Sequence, residues 1–454
     1  MVKVFDQDVR VHIVGVGGAG MSGLARLLVE SGATVSGSDL ADSSLIEALR
    51  TIGVSISIGH EATHVDRADV VLWSPAVSNE NVELVAARDN GAVALSRAEV
   101  LAELAQVRPV IGLTGTHGKT TATSMMVHVL AADQRDAGRL LGADVLGVGA
   151  NGHWGSGEIV LEVDESYGTF GLVRPRALGL LNVEADHLDH YGTLAALEGA
   201  FAQLIERTTG PVVLWGDDAG CQHVAALASR DVGRVGTASG NDWLVGDVTL
   251  SPHGSSFRVD GPGLSVALTL NVAGVHNVAD AAVVAVLAMQ VGVSEVAVRR
   301  GLAAFQGAPR RYDLLGSWRG VDVYESYAHL PGEIAAILKA TRAAGYERIA
   351  AVFQPHRVTR TLSLVDDFAP SFDLATTVIV TDIYRAGEPN PTGVTGQVIA
   401  DAIKKRGAGV RTIYSPSTND VPEVLEALHD ESDVVVLLGA GDVASIASRL
   451  RGMS

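Results

Sequence analysis

A chain of 454 residues exceeds what one hydrophobic core organises, and its 47% apolar and 19% charged residues exclude a disordered protein. Asp and Glu number 52 against 34 Lys and Arg, a net charge of −18 with no basic stripe, which argues against nucleic acid as a partner. The single cysteine, Cys221, forms neither an internal disulfide nor a thiolate metal cage.

In chain order, the N-terminus runs into a strand without a charged leader or an apolar signal core, so a cytoplasmic protein is expected. Val- and Ile-rich strands over 11–15, 34–38 and 70–74, with a helix over 19–31, give the βαβ pattern of a parallel sheet. A helix over 97–105 then precedes Arg108-Pro109 and a new strand at Val110, which places a boundary near residue 107. The central region reads as strand, glycine loop and long helix, with strands over 159–163, 177–183 and 212–215. A β-like stretch over 240–272 and an apolar helix over 277–291 follow. The longest wholly apolar run, 281–289, is half of what a bilayer crossing requires, so no membrane is expected. A second boundary falls at Gly307-Ala308-Pro309. Beyond it, strands over 321–324, 349–353, 377–382 and 434–438 alternate with helices. The expectation is an α/β chain of three domains: a Rossmann-like domain over 1–107, a P-loop-type ATPase domain over 108–308 and a second Rossmann-like domain over 309–454.

Two glycine loops carry the chemistry. Gly15, Gly17, Gly18 and Gly20 follow a strand and open a helix, so backbone amides can hold a diphosphate without side-chain obstruction. Asp39 closes the next strand, where a carboxylate commonly meets a ribose hydroxyl. Alone, this loop also suits a nicotinamide dinucleotide. The second loop, Gly115-Thr116-His117-Gly118-Lys119-Thr120-Thr121, places a lysine and hydroxyls where they grip polyphosphate and magnesium, although Leu113 stands where the Walker pattern has glycine. Two phosphate loops call for two nucleotide-like ligands, which a dehydrogenase does not need. Strand ends at Glu162-Val163-Asp164-Glu165-Ser166 and Asn182-Val183-Glu184-Ala185-Asp186-His187 bring carboxylates and an imidazole toward the second loop, a donor set for a hard cation.

Together with His276-Asn277 and residues 310–313 (RRYD), 327–329 (YAH), 353–361 (FQPHRVTRT) and 439–442 (GAGD), these segments resemble the Mur ligase family over almost the whole chain. The forms GVGGAGMSG at 15–23, GTHGKTT at 115–121, EVDES at 162–166 and NVEADHLDHY at 182–191 look like its alanine-adding branch. The resemblance implies ATP-dependent joining of L-alanine to the carboxylate of UDP-N-acetylmuramate through an acyl phosphate, with Mg2+ or alternatively Mn2+, in a monomer or weak homodimer. It implies that Gly15, Gly17, Gly18 and Gly20 hold the UDP diphosphate, with Asp39 near the uridine. ATP would be held by Gly115, Thr116, Gly118, Lys119, Thr120, Thr121, His276, Asn277 and Arg311. Thr120, Glu162 and His187 would serve the metal, with Glu165 a further candidate. Tyr327, His329, Arg357 and Arg360 would surround the amino acid, and Lys119, Arg311 and His329 would act in catalysis.

The chain departs from the family pattern at Ser326, where an acidic residue is usual, at Asp280, where a second Asn is usual, and at Tyr167, where Asp is most frequent. No lysine lies between Leu188 and Arg207, where sister ligases carry a carbamylated one, and this agrees with the alanine-adding branch. The alternatives are a related ligase that adds a peptide or another amine, and a non-catalytic paralogue that binds a UDP-sugar.

Overall fold

The computed structural model describes residues 4–74, 77–251, 254–308, 311–386 and 388–452, without the side chains of Ser44, Tyr167, Asp189, Leu264, Arg311 and Arg451. The expected boundary at 307–309 thus runs into Pro309, outside the described residues. Among the described residues three sheets organise the chain, and no helix is long and apolar enough to cross a membrane.

The first sheet contains β1 (Arg10–Val14), β2 (Thr34–Asp39), β3 (Ser55–Ile58), β4 (Val70–Trp73) and β5 (Val93–Ser96) in the order β3-β2-β1-β4-β5, all parallel. Helices cover both faces of such a sheet, so its strands read as apolar runs, and Val11, Ile13 and Val14 are buried. The chain leaves β1 toward one edge and returns at β4 toward the other. That switch point opens a crevice at the carboxyl ends of β1 and β4, where the first glycine loop starts.

The central sheet holds β6 (Val110–Thr114), β7 (Gly138–Leu140), β8 (Gly152–His153), β9 (Ile159–Glu162), β10 (Ala177–Leu180), β11 (Val212–Trp215), β12 (Gly233–Gly236), β13 (Trp243–Ser251), β14 (Gly254–Gly261) and β15 (Leu264–Leu270). Their order is β15-β14-β13-β12-β11-β10-β6-β9-β7-β8, with β6 between β9 and β10 and parallel to both. The second glycine loop therefore leaves the sheet between the strands that end in the two carboxylate-bearing segments. The stretch expected as β-like over 240–272 resolves into β13, β14 and β15, and the following helix, Val275–Gln290, begins two residues before the expected start.

The third sheet holds β16 (Arg311–Trp318), β17 (Val321–Ser326), β18 (Ile349–Phe353), β19 (Thr377–Val380), β20 (Arg411–Tyr414) and β21 (Val434–Leu438) in the order β16-β17-β21-β18-β19-β20. Only β16 runs antiparallel to its neighbour.

The chain forms two compact units: Met1–Thr249 with Ser255–Asn271 and Asn277–Ala308, and Pro309–Ser454 with Leu250–Gly254 and Val272–His276. The first two sheets share a unit because helix Ala19–Ser31 packs on β8 with almost no space between backbones. A Cβ on Gly152 would stand 1.9 Å from the Gly23 carbonyl oxygen, and Asn151 Nδ2 donates to the Ala19 carbonyl at 2.9 Å. One apolar cluster runs continuously from Leu24 and Leu28 through Leu140, Ile159 and Leu161.

Candidate active site

The first glycine loop is held from behind. The amides of Gly15 and Val16 both donate to the Ser38 carbonyl, at 2.8 and 3.1 Å, and Gly15 has a φ of +79° that only glycine adopts without strain. The Gly17 amide donates to Asp39 Oδ2 at 2.8 Å, so the carboxylate expected beside a ribose also braces the loop; a Cβ on Gly17 would come within 2.9 Å of that oxygen. Gly18 caps helix Ala19–Ser31 with no side-chain hydrogen bond, leaving the first-turn amides toward the crevice, and Gly20 lies in that turn.

Behind Ser38 lies a network that local sequence patterns do not show. Ser38 Oγ donates to the fully buried Glu83 at 2.5 Å, while His60 Nδ1 and His64 Nδ1 meet the same carboxylate at 3.0 and 2.6 Å. Burial raises the Glu83 carboxyl, but His12, 3.8 Å away, and the hydrogen bonds from Ser38 and His64 outweigh it and hold the group at about 2. Ser38 lies near the carboxyl end of β2 and His60 just beyond that of β3, on the edge that bears the glycine loop.

The second loop is wound around its own lysine. Gly115 and Gly118 have φ of +141° and +81°, and a Cβ on Gly115 would stand 3.0 Å from the Asn182 backbone nitrogen and oxygen. Asn182 ties the loop to the neighbouring strand end, accepting from the His117 amide at 2.7 Å and donating to its carbonyl at 3.1 Å. Lys119 Nζ donates to the Gly115 carbonyl at 2.8 Å, to the Thr116 carbonyl at 3.2 Å, and to both oxygens of the buried Glu165 at 3.0 and 2.8 Å. Burial alone would lower the Lys119 ammonium, yet Glu165 and Asp164 raise it above its ordinary range, so it stays charged. Burial also pushes Glu165 up to about 7 against the pull of Lys119. Thr121 is buried in the first turn of helix Lys119–Ala132, and Asp280 sits against the loop, its carboxylate 2.6 Å from where a Gly118 Cβ would be.

Two groups of donors border this loop. Glu162 Oε2 accepts from Thr120 Oγ1 at 3.0 Å and from the Gly142 amide at 2.9 Å. Asp164, Glu165 and His187 each offer an atom within 4.8 Å of the others, a set of hard donors plus one imidazole that suits a divalent cation. Of the metal residues expected from the sequence, His187 lies in this group, while Thr120 and Glu162 bond to each other beside it. The sequence does not single out Asp164, because Glu162 and Glu165 of the same EVDES segment compete with it.

In the other unit, β17 ends in a ring of aromatic and basic side chains. His329 Nδ1 faces the Tyr327 carbonyl at 2.9 Å; since that oxygen only accepts, Nδ1 carries the proton and Nε2 is the basic nitrogen. The His329 ring meets Tyr327 at 5.4 Å and His356 at 5.5 Å edge to face, and His356 stacks on Tyr384 at 5.7 Å. Arg360 Nη1 reaches His356 Nδ1 at 3.2 Å, and Arg357 approaches Glu388 at 3.9 Å from a backbone φ of +69°. Ser326 is buried and its Oγ accepts from the Ala328 amide at 3.3 Å, with Glu325 on the opposite face of the strand. His276 and Asn277 start helix Val275–Gln290. The side chains of Arg311 and Tyr167 lie outside the described residues.

Three family models match the chain in sequence: the Mur ligase family catalytic domain over residues 10–108, the Mur ligase middle domain over 113–288, and the Mur ligase glutamate ligase domain over 310–441. The UDP-N-acetylmuramate--L-alanine ligase of Thermobifida fusca is 39% identical, over 97% of this chain and 96% of that protein. The ligase of the same name from Acidothermus cellulolyticus is 40% identical, over 96% and 93%. Among solved structures, the UDP-N-acetylmuramate-alanine ligase of Thermotoga maritima superposes with a TM-score of 0.83 at 28% identity, covering 98% of both chains. A murein peptide ligase from Psychrobacter arcticus gives 0.74 at 25%, also over 98% of both. With three consecutive domain matches and near-full-length relatives of this identity, the chain belongs to the Mur ligase family.

Proposed function

We propose that this chain joins L-alanine to the carboxylate of UDP-N-acetylmuramate at the expense of ATP, forming ADP and phosphate, as a cytoplasmic monomer or weak homodimer of three domains over 1–107, 108–308 and 309–454. The observation that carries the reading is the pair of phosphate loops in one unit, one presenting glycine amides at a sheet switch point and the other a charged lysine. The relatives at 39% and 40% identity bear the name of the alanine-adding enzyme, which favours it over the peptide-adding reading.

A carboxylate is a poor electrophile, and transfer of a phosphoryl group to it creates a good leaving group. Gly15, Gly17, Gly18 and Gly20 hold the diphosphate of the sugar nucleotide, with Asp39 at the uridine end. Gly115, Thr116, Gly118, Thr120 and Thr121 cradle the ATP phosphates, His276 and Asn277 serve the adenine, and Arg311 is assigned to the phosphates on the family resemblance alone. Lys119 exchanges Glu165 for phosphate oxygens and stabilises the charge on the transferring group. The residues present fit a magnesium ion: Asp164, Glu165 and His187 lie within one ligand shell, with Thr120 and Glu162 adjacent. Such an ion, or manganese, neutralises phosphate charge when bound. Tyr327, Arg357 and Arg360 seat the amino acid, and His329, with basic Nε2 and Glu333 3.5 Å from its Nδ1, takes the proton from the attacking amine.

The test is phosphate release from ATP with UDP-N-acetylmuramate and each amino acid in turn, with the product identified by mass. Release confined to L-alanine is expected. Release with a peptide but not with alanine would favour the peptide-adding reading, and none with any amine would favour a binding paralogue.

A further inference from the structure

Arg97 begins helix Arg97–Val107, directly after its N-cap Ser96. Its guanidinium also covers the first turn of helix Ala19–Ser31: a Cβ on Gly20 would stand 2.7 Å from Cζ, 2.8 Å from Nη2 and 3.0 Å from Nη1. Gly20 thus makes room for a cation as well as for a diphosphate. Both helix N-termini carry partial positive charge, so a guanidinium at either is disfavoured unless an anion joins it. Its Nε is buried and has no hydrogen-bond partner, which costs the most for a group left permanently so. The carboxylate that feels its charge is Asp164, and that group is already engaged by Ser166, at 3.2 Å from the amide and 2.5 Å from Oγ, and by Lys119 at 3.9 Å. The guanidinium therefore lies against the first glycine loop, within electrostatic reach of one carboxylate that is already engaged elsewhere, and its Nε has no anion bonded to it.

We propose that Arg97 binds an oxyanion of the sugar nucleotide, either its diphosphate or its muramyl carboxylate, and so fixes the substrate between the two loops. This rests on the sugar-nucleotide reading of the first loop given above. An arginine suits the role because its planar fork takes two oxygens at once, which a lysine does not.

Calorimetric titrations of wild type, Arg97→Lys and Arg97→Gln with UDP, UDP-N-acetylglucosamine and UDP-N-acetylmuramate test it, with a non-hydrolysable ATP analogue as the control. Arg97→Gln should weaken UDP-N-acetylmuramate by about tenfold or more, Arg97→Lys by less, and neither should change the ATP analogue. Parallel loss for all three uridine nucleotides assigns the diphosphate; loss confined to UDP-N-acetylmuramate assigns the carboxylate. Unchanged affinities in both variants overturn the proposal, as does loss of a cooperative melt in both, which would make Arg97 structural. A wild type that binds none of the three contradicts instead the reading on which the proposal rests.

Discussion

The two glycine loops sit in the same unit and both lead from a parallel strand into a helix, yet they manage charge in opposite ways. The loop at 115–121 brings its own cation and neutralises it in advance, with Lys119 held by both oxygens of Glu165. The loop at 15–20 presents amides braced by Asp39 and Ser38, and its nearby guanidinium has a buried Nε without a partner. Phosphate arriving at the second loop must replace an existing anion, so its affinity is discounted by the pair it breaks. At the first loop the anion in place is Asp39, which accepts from the Gly17 amide, and the loop itself contributes no lysine. A preformed ion pair keeps a buried lysine charged and in place, at the cost of competition with the ligand.

The largest expected break in this comparison is Lys119→Ala, which removes the cation and leaves Glu165 buried alone. Turnover should fall by about a thousandfold, measured as phosphate release, while the affinity for UDP-N-acetylmuramate stays the same. Equal loss of both would merge the two sites into one.

Next comes the support behind the first loop. The Glu83 carboxyl is held at about 2, below its ordinary 4.5, so its contribution to stability is fully present above pH 4.5 and is lost as pH falls toward 2. The difference corresponds to about 3 kcal/mol. Denaturant titrations across that window should show this loss in the wild type and a flatter profile in Glu83→Gln; identical slopes would remove Glu83 from the account.

A more local disturbance is Gly17→Ala, whose methyl group would meet Asp39 Oδ2 and displace the bracing contact. Sugar-nucleotide affinity should drop by about tenfold to a hundredfold with the ATP analogue unaffected. An effect on both ligands would show that the loops are mechanically coupled. Ser326→Asp, in the other unit, gives a control of opposite sign. Glu325 points to the far face of β17 and does not replace the missing charge, so the variant should improve the ATP Michaelis constant or turnover by about ten- to a hundredfold, and leave the sugar-nucleotide constant alone. A loss of activity would show that the site is rebuilt around serine.

Much of this arrangement was legible in the sequence because glycine loops between a strand and a helix are local signals. Helix Ala19–Ser31 and strands Val212–Trp215, Ile349–Phe353 and Val434–Leu438 lie where apolar spacing predicts them. Short elements were not: β7 and β8 have three and two residues, too few for a periodicity, and β16 begins at Arg311, within a segment read for its motif alone. The candidate site shows the same limit. Lys119 and the two strand-end segments could be named from pattern, but that Glu165 pairs with Lys119 while Glu162 meets Thr120 depends on which face of a strand end each carboxylate leaves. The meeting of Glu83 with Ser38, His60 and His64 joins residues from three elements and a loop, and the approach of Arg97 to Gly20 spans 77 positions along the chain, beyond any local pattern.

The central claim is that the two loops take different nucleotides at the same time. Its most direct test is a titration of the wild type with UDP-N-acetylmuramate in the presence of saturating non-hydrolysable ATP analogue and magnesium, followed by the reverse order. The account predicts one of each bound per chain, with neither displacing the other. Competitive displacement, or a total of one nucleotide per chain, would contradict it.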